Sequence, residues 1–328
     1  MKTQILGTGH AYPERILNNK ELEQMVDTSH EWIVERTGIL ERRIADLHTK
    51  SSDLSFIAAE MALKNSGITA EQLDLIIVGT SSPDMAFPST ACILQDRLGA
   101  VNAAAFDLEA GCTGFIYSLT VAEKFLLAPA YKHILVVGVD ICSKFTDYTD
   151  RNTCVIFGDG AGAAVLGKAE SDLGIIGTHI GAEGSGGKHL YMPAGGSAMP
   201  PSHETVEQRL HFIKMDGNEI FRFATKIMVK ISEKLLSASG LEYKDVDLFI
   251  PHQANIRIIR TAMKRMNIPA EKTIINIHQF GNMSAACIPV GLSMADQEGR
   301  LKPGDLVLMV AFGAGLTYGG VLLRWGRD

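Results

Sequence analysis

A cysteine on a glycine-flanked turn is the residue in this chain best placed for covalent chemistry. In Ala110-Gly-Cys-Thr-Gly-Phe115, Cys112 follows an apolar run, Ala104–Leu108, broken only by Asp107. It opens a longer apolar segment, 112–128, whose only charges are Glu123 and Lys124. The first run reads as a buried strand and the second as a buried helix. A thiol at the first turn of such a helix faces unpaired backbone N–H groups and the positive end of the dipole. Both favour the thiolate, so a lowered pKa is expected. Gly111 and Gly114 leave room for an electrophile. Two further stretches carry polar groups at turns, His252 in Pro251-His-Gln-Ala-Asn-Ile-Arg257 and Asn282 in Phe280-Gly-Asn-Met-Ser-Ala-Ala286. Taken singly, each of the three has a plain structural reading: a small core cysteine, a hydrogen-bonded histidine at a strand end and a turn asparagine.

The elements that must position these groups alternate. A strand over 3–9 is followed by a helix over 18–37, with Trp32 and Arg36 one turn apart on one face. A helix over 51–66 leads to the apolar run at 73–79, which has the pattern of a strand buried on both faces. Pro88 suits the first turn of a helix running to Leu98. After a strand at 133–139, Phe157-Gly-Asp-Gly-Ala-Gly-Ala163 lacks the Gly-Lys-Ser/Thr ending of a phosphate loop and reads instead as close backbone packing. Residues 184–217, rich in Gly, Pro, Met and Ser, suggest a lid-like insertion. The pattern then restarts, with helices at 219–239 and 254–266, a strand at 273–277 and a helix at 283–297. Leu73-Asp-Leu-Ile-Ile-Val and Val246-Asp-Leu-Phe-Ile-Pro lie 173 positions apart, and the same offset carries Cys112 onto Ala285. An internal duplication follows, with α/β halves at 1–175 and 176–328 whose strand ends share one cleft holding Cys112, His252 and Asn282.

Composition narrows the setting. With 46% apolar residues, 21% charged residues and a net charge of −6, the chain is globular and carries no overall basic field for nucleic acid or an acidic membrane. Five cysteines (92, 112, 142, 154, 287) without metal-ligand spacing fit a reducing compartment and argue against a metal site. With no apolar leader and no run approaching about 18 apolar residues, a soluble cytoplasmic protein is expected.

Together the three motifs, with Trp32-Ile-Val-Glu-Arg-Thr-Gly38 and Ala311-Phe-Gly-Ala-Gly315, closely resemble the β-ketoacyl-acyl carrier protein synthase III family over essentially the whole chain. The resemblance implies a five-layered thiolase fold, a homodimer, and condensation of a short acyl-CoA with malonyl-acyl carrier protein, without a cofactor. It assigns Cys112 as nucleophile, His252 and Asn282 as donors to an enolate oxygen, the amides of Cys112 and Ala314 as an oxyanion hole, and Phe312 as an apolar wall. Trp32, Arg36, Thr37 and Arg151 are implied for the CoA nucleotide, and Gly217, Asn218 and Asn255 for its pantetheine arm. Phe87 would floor the partner subunit's acyl pocket and favour acetyl-CoA. Gln253, Ala254, Asn255, Ile256, Arg257 and Arg222 are implied for carrier-protein binding.

The spacing of Arg257, Arg260, Lys264 and Arg265 on one helix supplies the basic patch that an acidic carrier requires. Two departures stand out: Ala314 replaces the middle of three familiar glycines, and Arg222 stands where lysine is familiar. A thiolase would need a second cysteine near the C-terminus, and 288–328 holds none. Elongating synthases use two histidines. A polyketide-type or hydroxymethylglutaryl-CoA synthase-like enzyme, or a non-catalytic carrier-binding scaffold, are the alternatives.

Overall fold

The computed structural model describes residues 2–169 and 171–326. Strand Ala104–Leu108, expected to be buried, is the edge strand of its sheet and is only half-buried, whereas the central apolar runs are buried on both faces, as in Leu75–Gly79, where every residue is buried. Such strands need covering on both sides, and that demand produces a layered molecule. One sheet orders its strands as Lys2–Ala11, Asp159–Ala169, His133–Ile141, Leu75–Gly79 and Ala104–Leu108. The other orders them as Gly174–Ala182, Thr317–Arg324, Leu306–Gly313 and Leu248–Pro251. Leu75–Gly79 runs parallel to His133–Ile141, just as Leu248–Pro251 runs parallel to Leu306–Gly313.

Helices Gly114–Leu126 and Cys287–Gln297 fill the space between the sheets, packing Phe115, Leu119, Ile288 and Leu292 against Ile77 and Val136 on one side and Ile250 and Met309 on the other. Helix Ser51–Ser66 covers the outer face of the first sheet through Ala58, Ala59 and Ala62. Helices Gly217–Ala238 and Ile256–Met266 cover the outer face of the second. The result is the five-layered α/β thiolase fold. No helix among the described residues is long and apolar enough to cross a membrane.

The 173-residue offset reappears in the elements. Turn Gly111–Thr113 and helix Gly114–Leu126 correspond to turn Ser284–Ala286 and helix Cys287–Gln297. The glycine-rich run at 157–163 enters a strand. A Cβ on Gly162 would stand 2.6 Å from Pro289 Cβ, so the glycine is needed for the strand to approach the inner helix layer.

Three expected elements differ. The helix over 18–37 is two, Asn19–Leu22 and His30–Thr37, because Asn18 and Ser29 cap separate starts and the polar stretch between them competes for backbone groups. Pro88 lies outside its helix. Thr90–Leu98 begins after the Ser89 cap, and the amides of Thr90 and Ala91 each donate to the Asp107 carboxylate at 2.7 Å. The strand over 273–277 is reduced to a single bridge between Phe249 and Thr273. There the Gln253 side chain takes the backbone partners a ladder would have used, accepting from Asn276 N and Ile277 N at 3.2 Å and donating to Ile274 O at 3.0 Å.

Residues 184–217 form a folded connector with short strands Leu190–Tyr191 and Lys214–Met215. It is tied to the 145–150 region by the Arg209–Asp147 ion pair and by Ile213 N donating to Phe145 O at 2.9 Å.

Candidate active site

The Cys112 turn is seated against the end of strand Leu306–Gly313. A Cβ on Gly313 would stand 2.5 Å from Cys112 N, so only glycine permits this approach. Gly111 holds φ 55°, the left-handed conformation glycine adopts without cost. Cys112 Sγ accepts a hydrogen bond from Ser284 Oγ at 3.3 Å. Burial pushes the thiol up to about 12, with the Ser284 bond pulling the other way and the Asp140 charge adding to the rise. The expected lowering is not met: loss of solvent outweighs the helix end in the resting chain.

His252 follows strand Leu248–Pro251 and donates its backbone N–H to Val310 O at 2.9 Å. Its ring stands edge-on to Phe312, centroids 5.2 Å apart. Burial lowers its pKa to about 3, so the imidazole is neutral at physiological pH. Nδ1 is buried and has no hydrogen-bond partner among the described residues.

Asn282 is held at both backbone groups, donating to Ile156 O at 2.9 Å and accepting from Gly158 N at 3.0 Å. Its Oδ1 accepts from Ser284 N at 2.8 Å and from Cys287 Sγ at 3.7 Å. With the amide oxygen occupied, the Nδ2 group is the one left for a ligand.

Cys112, His252 and Asn282 line one cavity of about 630 Å³, together with Phe312, Trp32, Arg36, Thr37, Gly217, Asn218, Ala254, Asn255 and Arg257. Arg151 lies outside that lining, yet its Cζ stands 5.1 Å from the Trp32 ring centroid, and Arg36 Cζ stands 6.0 Å from the same centroid. Thr37 is buried and its hydroxyl donates to Ile33 O at 2.7 Å. Asn255 caps helix Ile256–Met266 through Oδ1 and donates Nδ2 to Arg36 O at 2.9 Å, joining two walls of the cavity.

Two residues expected at a carrier surface are internal. Gln253 is 1% exposed and spends its amide on backbone groups, while Ile256 is 7% exposed and would collide with any Cβ on Gly38. Arg257, Arg260, Lys264 and Arg265 are all exposed on the outer face of their helix. Arg265 also donates to Thr225 O at 2.9 Å, and Arg222 pairs with Glu219 at 2.7 Å. Neither Ala314 nor Phe87 lines the cavity. Phe87 is 84% exposed.

Residue-by-residue reading passes over Ser284 and Asp140. Asp140 is a buried carboxylate that accepts from Ser81 N at 2.8 Å, Ser82 Oγ at 2.9 Å and Ala285 N at 3.1 Å. Ser284 has a signal in the duplication, for it falls where the first half has Gly111.

A thiol turn and its repeat, brought face to face between two sheets, are the architecture of a thiolase-superfamily condensing acyltransferase. Comparison with known proteins narrows this further. Residues 106–184 match the model for 3-oxoacyl-[acyl-carrier-protein] synthase III, and residues 236–325 match the model for its C-terminal part. The β-ketoacyl-[acyl-carrier-protein] synthase III of Syntrophomonas wolfei is 77% identical, covering 100% of this chain and 99% of that one. The corresponding protein of Caldanaerobacter subterraneus is 54% identical over 98% of each chain. The crystal structure of 3-oxoacyl-[acyl-carrier-protein] synthase III from Aquifex aeolicus superposes with a TM-score of 0.91 at 44% identity, covering 98% of this chain and all of that one. The chain belongs to the β-ketoacyl-[acyl-carrier-protein] synthase III family, whose members are condensing acyltransferases.

Proposed function

We propose that the protein opens fatty-acid synthesis by condensing a short acyl-CoA with malonyl-acyl carrier protein through an acyl-Cys112 intermediate. The observation that carries this reading is the convergence of Cys112, His252 and Asn282, from three separate turns, on one cavity walled by Trp32 and Arg36. In the first step the Cys112 sulfur attacks the thioester carbonyl. The thiol proton ends on the departing CoA sulfur as the new S–C bond forms and the old one breaks, with the neutral His252 imidazole of the same cavity relaying it without resting as a cation, so the charge balance is unchanged. The amide of Cys112 would receive the oxyanion, together with that of Ala314, which follows the cavity-lining Gly313. In the second step malonyl-carrier loses CO2, and His252 and the Asn282 Nδ2 group donate to the enolate oxygen. The enolate carbon then attacks the acyl-Cys112 carbonyl, the C–S bond breaks to release the β-ketoacyl-carrier, and the departing Cys112 thiolate takes up one proton from solvent to restore the thiol.

Stacked between Trp32 and guanidinium groups, the nucleotide of CoA would lie at one end of the cavity, with its pantetheine arm along Gly217, Asn218 and Asn255. The acidic carrier would dock on Arg257, Arg260, Lys264 and Arg265. The protein would act as a cytoplasmic homodimer in which the exposed Phe87 ring floors the partner's acyl pocket, with acetyl-CoA the preferred primer.

The decisive experiment separates the half-reactions. Asn282→Ala should still acylate Cys112, seen by intact-protein mass spectrometry, while CO2 release falls by about 10²–10³. Arg257→Glu in the same assay should raise only the KM for the carrier. Equal loss of both steps in folded Asn282→Ala would refute its assignment. Primer choice is tested by kcat/KM for acetyl-, isobutyryl- and octanoyl-CoA in wild type and Phe87→Thr. A variant that gains nothing with longer chains would remove Phe87 from the pocket.

A further inference from the structure

Ser284 is a buried, non-glycine residue held at φ 49°, at the head of turn Ser284–Ala286. The equivalent place in the first half is Gly111 at φ 55°. Glycine takes that conformation freely, whereas a side chain makes it costly, so a serine here needs a compensating reason. Its amide and its hydroxyl supply it. The Ser284 backbone N–H donates to Asn282 Oδ1 at 2.8 Å, and the Ser284 hydroxyl lies between Cys112 Sγ, to which it donates at 3.3 Å, and the buried Asp140 carboxylate, which it also hydrogen-bonds. The following amide, Ala285 N, donates to the buried Asp140 carboxylate at 3.1 Å and fastens the turn from below. One residue therefore touches both the group proposed to carry the acyl chain and the group proposed to hold the enolate.

We infer that Ser284 is a positioning residue serving both half-reactions: its hydroxyl supports negative charge on the Cys112 sulfur during acyl transfer, and its backbone amide turns the Asn282 Nδ2 group into the cavity. This rests on the assignment of Cys112 as nucleophile. The serine keeps its proton throughout; the O–H···S bond shortens as charge develops on sulfur and relaxes when the thioester forms. The two duties reside in different atoms, so they can be separated by substitution. Ser284→Ala removes the hydroxyl and keeps the backbone demand. Ser284→Gly removes the hydroxyl and relieves that demand, using the residue that the first half already employs.

The test uses full-length wild type, Ser284→Ala and Ser284→Gly. Single-turnover acetylation by acetyl-CoA is followed by intact-protein mass spectrometry. The pH dependence of iodoacetamide alkylation is followed at the Cys112 peptide, because Cys92 is exposed and reacts as well, whereas Cys112 is buried. CO2 release from malonyl-carrier is followed on enzyme driven to full acetylation. Both variants should acetylate about tenfold more slowly, the loss expected for one hydrogen bond to a charged group, and should shift Cys112 alkylation to higher pH. CO2 release should stay within about twofold of wild type, since the backbone amide survives in each.

Wild-type acetylation by Ser284→Gly would overturn the inference, showing the hydroxyl to be dispensable. Parallel loss of both steps with an unmoved alkylation profile would also overturn it, leaving Ser284 a purely structural residue. Failure of wild type itself to acetylate at Cys112 would instead overturn the nucleophile assignment on which the inference stands. If Ser284→Ala does not fold, Ser284→Gly carries the comparison alone.

Discussion

The two halves use the same backbone device for different ends. Gly111–Thr113 and Ser284–Ala286 are both single tight turns opening an inner-layer helix, and both begin at a left-handed residue. In the first copy the turn presents a thiol to the cavity. In the second, Ala285 stands where the thiol would be, and its amide goes to Asp140 of the first half. A Cβ on Gly138 would stand 2.5 Å from Ala285 O, as one on Gly313 would stand 2.5 Å from Cys112 N, so each turn is packed into the other half's sheet, and only the first also lines the cavity. The copies also differ at their edges. Strand Ala104–Leu108 extends the first sheet, while the matching stretch of the second half is held by the Gln253 side chain and then turns into helix Ile277–Phe280. Freed from the sheet, that stretch leads directly into Gly281 and Asn282. One turn thus carries the proposed nucleophile, and its counterpart 173 positions on carries the serine that bonds to it.

Moving the thiol breaks this comparison most severely. Cys112→Ala should abolish acylation outright. Adding Ala285→Cys restores a thiol at the equivalent turn, yet the double variant should remain inactive, because residue 285 is fully buried against the first sheet and has no opening to the cavity. Acylation at position 285 of that double variant, detected by mass spectrometry, would show the two turns to be interchangeable and the division of labour wrong.

Much of this arrangement is legible in the chain because the relevant forces are local or periodic. Leu75–Gly79 and Leu248–Pro251 declare themselves as strands buried on both faces, and glycine on each side of Cys112 declares a turn. The long polar stretch around Asp27 hides a helix break because capping competes with continuation only once tertiary contacts fix the ends. Gln253 reads as a surface residue by polarity. Its burial depends on amides from Asn276 and Ile277, more than twenty positions away, that no local pattern announces. The direction of the Cys112 pKa shift is hidden for a related reason: the helix end is written in the sequence, but the depth of burial is written only in the fold.

A smaller effect sharpens the comparison through pH. Burial acts on both halves' reactive groups by keeping each neutral, raising the first half's thiol to about 12 and lowering the second half's imidazole to about 3. The consequences for stability have opposite pH dependence. A thiol with a raised folded pKa contributes stability that is complete below its unfolded value, near 9, and lost only as pH rises beyond it. An imidazole with a lowered folded pKa is neutral in both states above its unfolded value of 6.5. Between 6.5 and about 3 the unfolded chain binds a proton that the folded chain refuses, so stability falls as pH falls. At pH 5 this amounts to about 2 kcal/mol, or roughly 3 °C in Tm for a chain of this size. His252→Gln, which keeps a donor but cannot titrate, should therefore lose about 3 °C less than wild type between pH 8 and pH 5. Cys112→Ser should track wild type over that range and diverge only in alkali. Identical pH–Tm profiles for wild type and His252→Gln would mean that His252 is solvated, and that it enters the reaction already exchanging its proton with water rather than held neutral for the thiol.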